Sequence, residues 1–288
     1  MTKMGWPMLD HLCTIKKIIT GENAIDGAGV KLVRVFGHSN TKDFDPFLML
    51  DAFDSIKPND YIKGFPWHPH RGIETITYLI QGDIEHSDSL GNKGSILDGE
   101  CQWMTAGSGI IHQEMPKTSN RMLGVQLWLN LPAKDKMVAP KYNGIVKEDI
   151  PVIDEGDRKI HIIAGYYKGK LGAVEGDYVK PLYLDVEVNP GAEWSLDTDN
   201  DATLFVYIVQ GEGAFGPARD ELISAKHAIL FNQGNKFMVR AADNGLRFLL
   251  ISGKPLKEPI AWGGPIVMNT KEELDFAFKE LNDNKFIK

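Results

Sequence analysis

Residues 78–83, Tyr78-Leu79-Ile80-Gln81-Gly82-Asp83, return later in the chain as Tyr207-Ile208-Val209-Gln210-Gly211-Glu212. An echo of this kind marks a duplicated unit, so the chain reads as two copies of one fold. Outward from the echo, most of the sequence alternates short apolar runs with Gly, Asn, Asp or Pro, as in Gly124-Val125-Gln126-Leu127-Trp128-Leu129 ahead of Leu131-Pro132. Strands at this spacing, closed by turn residues, indicate sandwiches or barrels rather than βαβ units. The expected fold class is all-β, with two β-barrel domains. A polar, Pro-containing stretch from Pro132 to Pro151 is the best candidate linker. It places an N-terminal barrel at 1–132, a linker at 133–151 and a C-terminal barrel at 152–288. Thr270-Lys271-Glu272-Glu273 is a capping box, and Leu274, Phe278 and Leu281 share one helical face. A terminal helix packed outside a barrel is expected there, as part of the C-terminal domain.

Composition narrows the function. The 288 residues, 43% hydrophobic, suffice for two domains with separate cores. A net charge of -7 argues against direct nucleic-acid binding, which is built from Lys and Arg on phosphates. Two cysteines, Cys13 and Cys101, are too few for a disulfide framework, and Met1 to Pro7 lack the apolar core of a signal peptide. No apolar run approaches the roughly 18 residues that span a bilayer. A cytoplasmic protein, without membrane contact, is the expectation.

The chemistry concentrates in His68-Pro69-His70-Arg71-Gly72-Ile73-Glu74 and His112-Gln113-Glu114. Side chains on a strand alternate between faces, so His68 and His70 point the same way, as do His112 and Glu114. Two such strands side by side make a four-ligand pocket. Imidazole nitrogens with one carboxylate oxygen suit a first-row divalent ion and leave positions open for a small molecule. The second copy has Asp197-Thr198-Asp199-Asn200-Asp201 in place of the His pair, and His227 lacks an acidic partner two residues on. The C-terminal barrel is expected to be metal-free.

These motifs resemble the cupin signature, His-x-His-x3-Glu with a later Gly-x2-His, standing here as His68, His70, Glu74 and Gly109-Ile110-Ile111-His112. More narrowly the chain resembles the pirin family, through Asp45 to Phe53, Phe65 to Thr75, Gln102 to Pro116 and Glu258 to Pro265. The resemblance implies a bicupin fold and an Fe(II) ion held by His68, His70, His112 and Glu114, with Mn, Ni, Cu, Zn or Co as other candidates. It also implies a quercetinase-like dioxygenase that opens a flavonol or related hydroxylated aromatic with O₂. Two other functions stay open: a metal- or redox-sensing regulatory protein that binds a protein partner without turnover, and a hydrolase or isomerase using the ion as a Lewis acid.

Glu74 shares parity with His70 and is the candidate catalytic base, with an ion pair to Arg71 as the plainer alternative. Trp67, Phe53, Trp103 and Met104 line an aromatic pocket or belong to the core. Cys101 is expected as a small buried hydrophobe, and Gly107 and Gly109 as turn residues.

Overall fold

The computed structural model describes residues 12–218 and 221–288; the leader reading of residues 1–7 lies outside them. Inward and outward residues alternate cleanly where only one strand face is covered. In Ile110–Pro116, for example, Ile110, His112, Glu114 and Pro116 are buried and the residues between them half-exposed. Central strands covered on both faces are buried almost throughout, as in Ile73–Gln81, where Ile73 to Leu79 are all buried.

Two compact units result. One comprises residues 21–150, 176–179 and 256–288, and the other residues 12–20, 151–175 and 180–255 among those described. The first unit has a seven-stranded antiparallel sheet in the order Lys141–Ile145, Glu100–Thr105, Ile73–Gln81, Met122–Asn130, Phe47–Ser55, Val30–Phe36 and Glu22–Asp26. A four-stranded sheet, Phe65–His70, Ile110–Pro116, Ile84–Asp88 and Lys93–Ile96, belongs to the same unit. The second unit repeats the order: Ile15–Thr20, His227–Phe231, Thr203–Phe215, Lys236–Gly253, Leu182–Val188, Arg158–Ala164 and Val152–Asp154. Its core is aromatic-rich, with Phe215, Phe231, Phe237 and Phe248 in mutual contact.

The echoed hexapeptides occupy equivalent strands but end differently. In the first copy the strand stops at Gln81, and Gly82 turns the chain at φ 136° toward Ile84–Asp88. In the second the strand runs on to Phe215 through a bulge at Gly211. There φ is 74°, and a Cβ would lie 2.1 Å from the Gly245 carbonyl oxygen.

The units differ from the expected boundaries in three places. Residues 141–145 of the expected linker form an edge strand on Glu100–Thr105, and their polar composition reflects that edge position. Ile15–Thr20 adds to the second unit, pairing with His227–Phe231. The helix Lys271–Asn282, capped reciprocally by Thr270 and Glu273, packs in the first unit. Its apolar face, Leu274, Phe278 and Leu281, covers Ile266, Met268 and Phe286. Among the described residues no helix is long and apolar enough to cross a membrane.

Candidate metal centre

His68 and His112 are direct cross-strand partners, and His70 lies two residues along, opposite Ile110. The period-two geometry therefore brings three imidazoles together. Their ring centroids are 4.4 to 5.1 Å apart, and one nitrogen of each lies within 4.8 Å of the others. Two rings are oriented by backbone: His68 Nδ1 is 2.8 Å from the Pro66 carbonyl oxygen and His70 Nδ1 3.2 Å from that of Pro265. A carbonyl can only accept, so each Nδ1 carries the proton and each Nε2 keeps its lone pair. His112 Nε2 is buried with no hydrogen-bond partner in the protein.

Electrostatics keep two of the donors, His70 and His112, neutral. Burial, then the neighbouring His68, pushes His70 down to about 3. Burial and the charges of His70, His68 and His86 hold His112 well below its ordinary value. Neutral, pre-oriented imidazoles with one orphaned nitrogen are what a divalent transition ion requires, and the residues fit such an ion.

Glu114 is buried on the same strand face as His112, yet its carboxylate is engaged elsewhere. Gln126 Nε2 donates to both its oxygens, at 3.1 and 2.9 Å, and Thr77 Oγ1 donates to Oε1 at 3.2 Å. A bulge between His112 and Glu114 sets Glu114 opposite Phe65. The carboxylate is not part of the three-nitrogen cluster.

Glu74 is not brought to the histidines. It lies three residues from Thr77, which bonds Glu114 on the inner face, so it points to the other face of the same strand. There Thr105 Oγ1 donates to its Oε1 at 2.7 Å, and Oε2 has no partner. Burial pushes this carboxyl up to about 7, against the opposing influence of the Thr105 and Trp103 side chains. Of the alternatives for Glu74, an ion pair to Arg71 does not form, because Arg71 bonds Glu280 instead.

A cavity of about 670 Å³ opens onto His68 and His70, walled by Phe65, Met49, Trp128 and Trp262. Trp128 meets the His70 ring edge-on at 5.0 Å. Of the aromatic candidates read from the sequence, Trp67 is 53% exposed, Met104 and Trp103 are buried, and Phe53 lines a smaller neighbouring cavity beside Glu114 and Gln126. Gln126, Trp128 and Trp262 were not singled out. Trp262 and Pro265 arrive on the hairpin Ala261–Gly263 and Ile266–Met268, inside the Glu258 to Pro265 motif. Cys101 is buried, and its thiol is pushed up by burial. Gly107 is a turn residue at φ 49°, where a Cβ would meet the Val138 carbonyl oxygen at 2.2 Å.

Two cupin barrels of matching strand order, one carrying three convergent histidines under an aromatic cavity, define a bicupin with a candidate metal centre. The chain belongs to the pirin family: the pirin signature matches residues 29–129 and the pirin C-terminal cupin domain residues 183–287. It is 42% identical over 277 residues to a pirin-like protein of Caulobacter vibrioides, covering 94% of this chain and 98% of that one. To the pirin of Homo sapiens it is 37% identical over 265 residues, covering 90% and 89%. A crystal structure of quercetin 2,3-dioxygenase from Acinetobacter baumannii matches with a TM-score of 0.88 at 31% identity, over 96% of this chain and 98% of that one.

Proposed function

We propose that this chain is an iron-dependent dioxygenase of the quercetinase type, acting with O₂ on a flavonol or related hydroxylated aromatic. His68, His70 and His112 would hold the ion, with Glu114 as the fourth ligand once it leaves Gln126. The observation that carries the reading is the convergence of three imidazoles, one with an orphaned buried nitrogen, at an aromatic-walled cavity. The likeness to the Acinetobacter quercetin 2,3-dioxygenase supports dioxygenase chemistry at such a centre, and iron is proposed among the divalent ions that such donors accept.

Bound there, iron supplies the redox chemistry that joins O₂ to an electron-rich ring. The chain's own residues do the rest. The Pro66 and Pro265 carbonyls hold the His68 and His70 rings in place. Trp128 and Trp262 offer flat apolar surface to a planar ligand and displace water from the cavity. Gln126 and Thr77 keep the Glu114 carboxylate oriented beside the cavity. A cytoplasmic setting accords with the buried free thiols Cys13 and Cys101.

The test is oxygen uptake and loss of flavonol absorbance with protein reconstituted anaerobically with ferrous iron. Uptake with quercetin that disappears in His112→Ala supports the reading. Absence of uptake with quercetin and related polyphenols, by protein that holds stoichiometric iron, rejects it.

A further inference from the structure

Arg34, Asp51 and Asp26 sit at the cavity wall and take no part in orienting the histidines. Arg34 and Asp51 face each other across neighbouring strands, and Asp51 is in turn opposite Gln126. The guanidinium grips Asp51 from Nε to Oδ1 at 2.9 Å and from Nη2 to Oδ2 at 2.7 Å, and it reaches Asp26 Oδ2 at 2.8 Å. Asp51 is buried, whereas the Arg34 and Asp26 side chains are 36% and 48% exposed. Two carboxylates against one guanidinium leave this end with one net negative charge. Each carboxylate oxygen retains a lone pair beyond the bond it already accepts.

The cavity is thus polarised. His68 and His70 bring imidazoles to its lining, Met49, Trp128 and Trp262 bring apolar surface, and the Arg34 cluster brings fixed carboxylates. An aryl carboxylate at that end would meet like charge. A phenolic hydroxyl can instead donate a charge-assisted hydrogen bond, to acceptors that Arg34 already holds in place.

We propose that Asp51 and Asp26, held by Arg34, select neutral hydroxylated aromatics over aryl carboxylates by accepting a hydrogen bond from a ring hydroxyl. This rests on the reading of the cavity as an aromatic-substrate site and names the specificity within it.

The experiment follows quenching of tryptophan fluorescence in anaerobic, ferrous-loaded protein, using wild type, Asp26→Asn and Asp51→Asn. The ligands are quercetin, galangin, which shares its fused rings but lacks hydroxyls on the pendant ring, and 2,5-dihydroxybenzoate. Wild type should bind quercetin about tenfold more tightly than galangin, the scale of one hydrogen bond to a charged group. Both variants should narrow that ratio and bind the benzoate better. Asp26 lies at the exposed rim, so Asp26→Asn reports even where Asp51→Asn fails to fold. Were the trio only a structural ion-pair cluster, the variants would lower the melting temperature and leave the ligand ratio unchanged, which overturns the proposal. Equal affinity of wild type for the two flavonols overturns it too, while the aromatic-site reading stands. If no aromatic ligand binds, both fall.

Discussion

Arg71 and Glu280, 209 residues apart in sequence, form a buried ion pair, Nη1 to Oε2, at 2.7 Å. Arg71 spends its remaining donors on the same join: Nε bonds the Ser108 carbonyl at 2.7 Å and Nη2 that of Phe286 at 3.0 Å. Its guanidinium also lies 4.2 Å from the centre of the Phe286 ring. The residue next to the candidate ligand His70 therefore anchors the terminal helix. The hairpin bearing Trp262 and Pro265 packs on that helix, since a Cβ at Gly263 would touch Phe278 and Leu274.

Replacing Arg71 takes the buried partner from Glu280, which keeps only the half-exposed Lys288, and leaves the Ser108 and Phe286 carbonyls without that donor. Arg71→Ala should cost on the order of 3–5 kcal/mol, the usual penalty for breaking a buried ion pair on one side. Arg71→Lys should recover little, because an ammonium cannot reproduce the planar fork. Urea-denaturation midpoints measure both.

His112→Ala removes the orphaned nitrogen while leaving a barrel whose strand pairing does not depend on the imidazole. The variant should fold, with wild-type far-ultraviolet circular dichroism, and retain less than stoichiometric iron by elemental analysis. Full iron occupancy in this variant would remove His112 from the ligand set.

Gln126→Leu tests the fourth ligand. In the metal-free protein Glu114 gives up its bonds to Gln126 Nε2 before it can turn to an ion. Without the amide both states lose its bonds to Thr77 and Trp128, but only the metal-free state also loses those to Glu114. The variant should be less stable without metal and should bind ferrous iron about tenfold more tightly, following the cost of an unsatisfied buried group. Chelator competition reads the affinity, and weaker binding would mean that Gln126 supports Glu114 in the liganded state.

Glu74 supplies a pH signature. Its carboxyl is raised from 4.5 to about 7 in the folded protein, chiefly by burial, so between those values the folded state binds more protons than the unfolded. Its contribution to stability is present below about pH 4.5 and is lost as pH rises toward 7. Glu74→Gln should flatten this part of the profile and stand on the order of 2–3 kcal/mol above wild type at pH 8, relative to their difference at pH 4.5. Iron content should be unchanged, because Glu74 faces away from the histidines. Thermal melts across this range, with iron analysis, check both statements.

The barrels and the three histidines were legible because both follow from a period of two within single strands. The same rule failed at Glu74, where parity was carried from His70 across Gly72. Gly72, at φ 76°, separates the strands Phe65–His70 and Ile73–Gln81, and parity does not survive a turn. At Glu114 parity held, but which groups the carboxylate bonds depends on Gln126 and Thr77 from two other strands. Contributions from far along the chain left no local sign. The Pro265 carbonyl that orients His70 is 195 residues away, and Arg34 and Asp51 look like ordinary strand charges until their strands pair. The boundary at 133–151 misled for a related reason. Edge strands are polar, and Lys136 is buried there by bonds to Gly72, Asn130 and Val267 that only the folded unit supplies.

The 215 residues between Arg71 and its partner Phe286 also set a clock on biosynthesis. At translation rates of about 5–20 residues per second, roughly 10–40 s pass between the emergence of the histidine strand and that of the segment that locks it. Through that interval the nascent first barrel has neither the Pro265 carbonyl behind His70 nor a counter-ion for Arg71. A chain that ends before residue 280 lacks the counter-ion of Arg71, so that buried pair is made only in a polypeptide translated through its terminal helix.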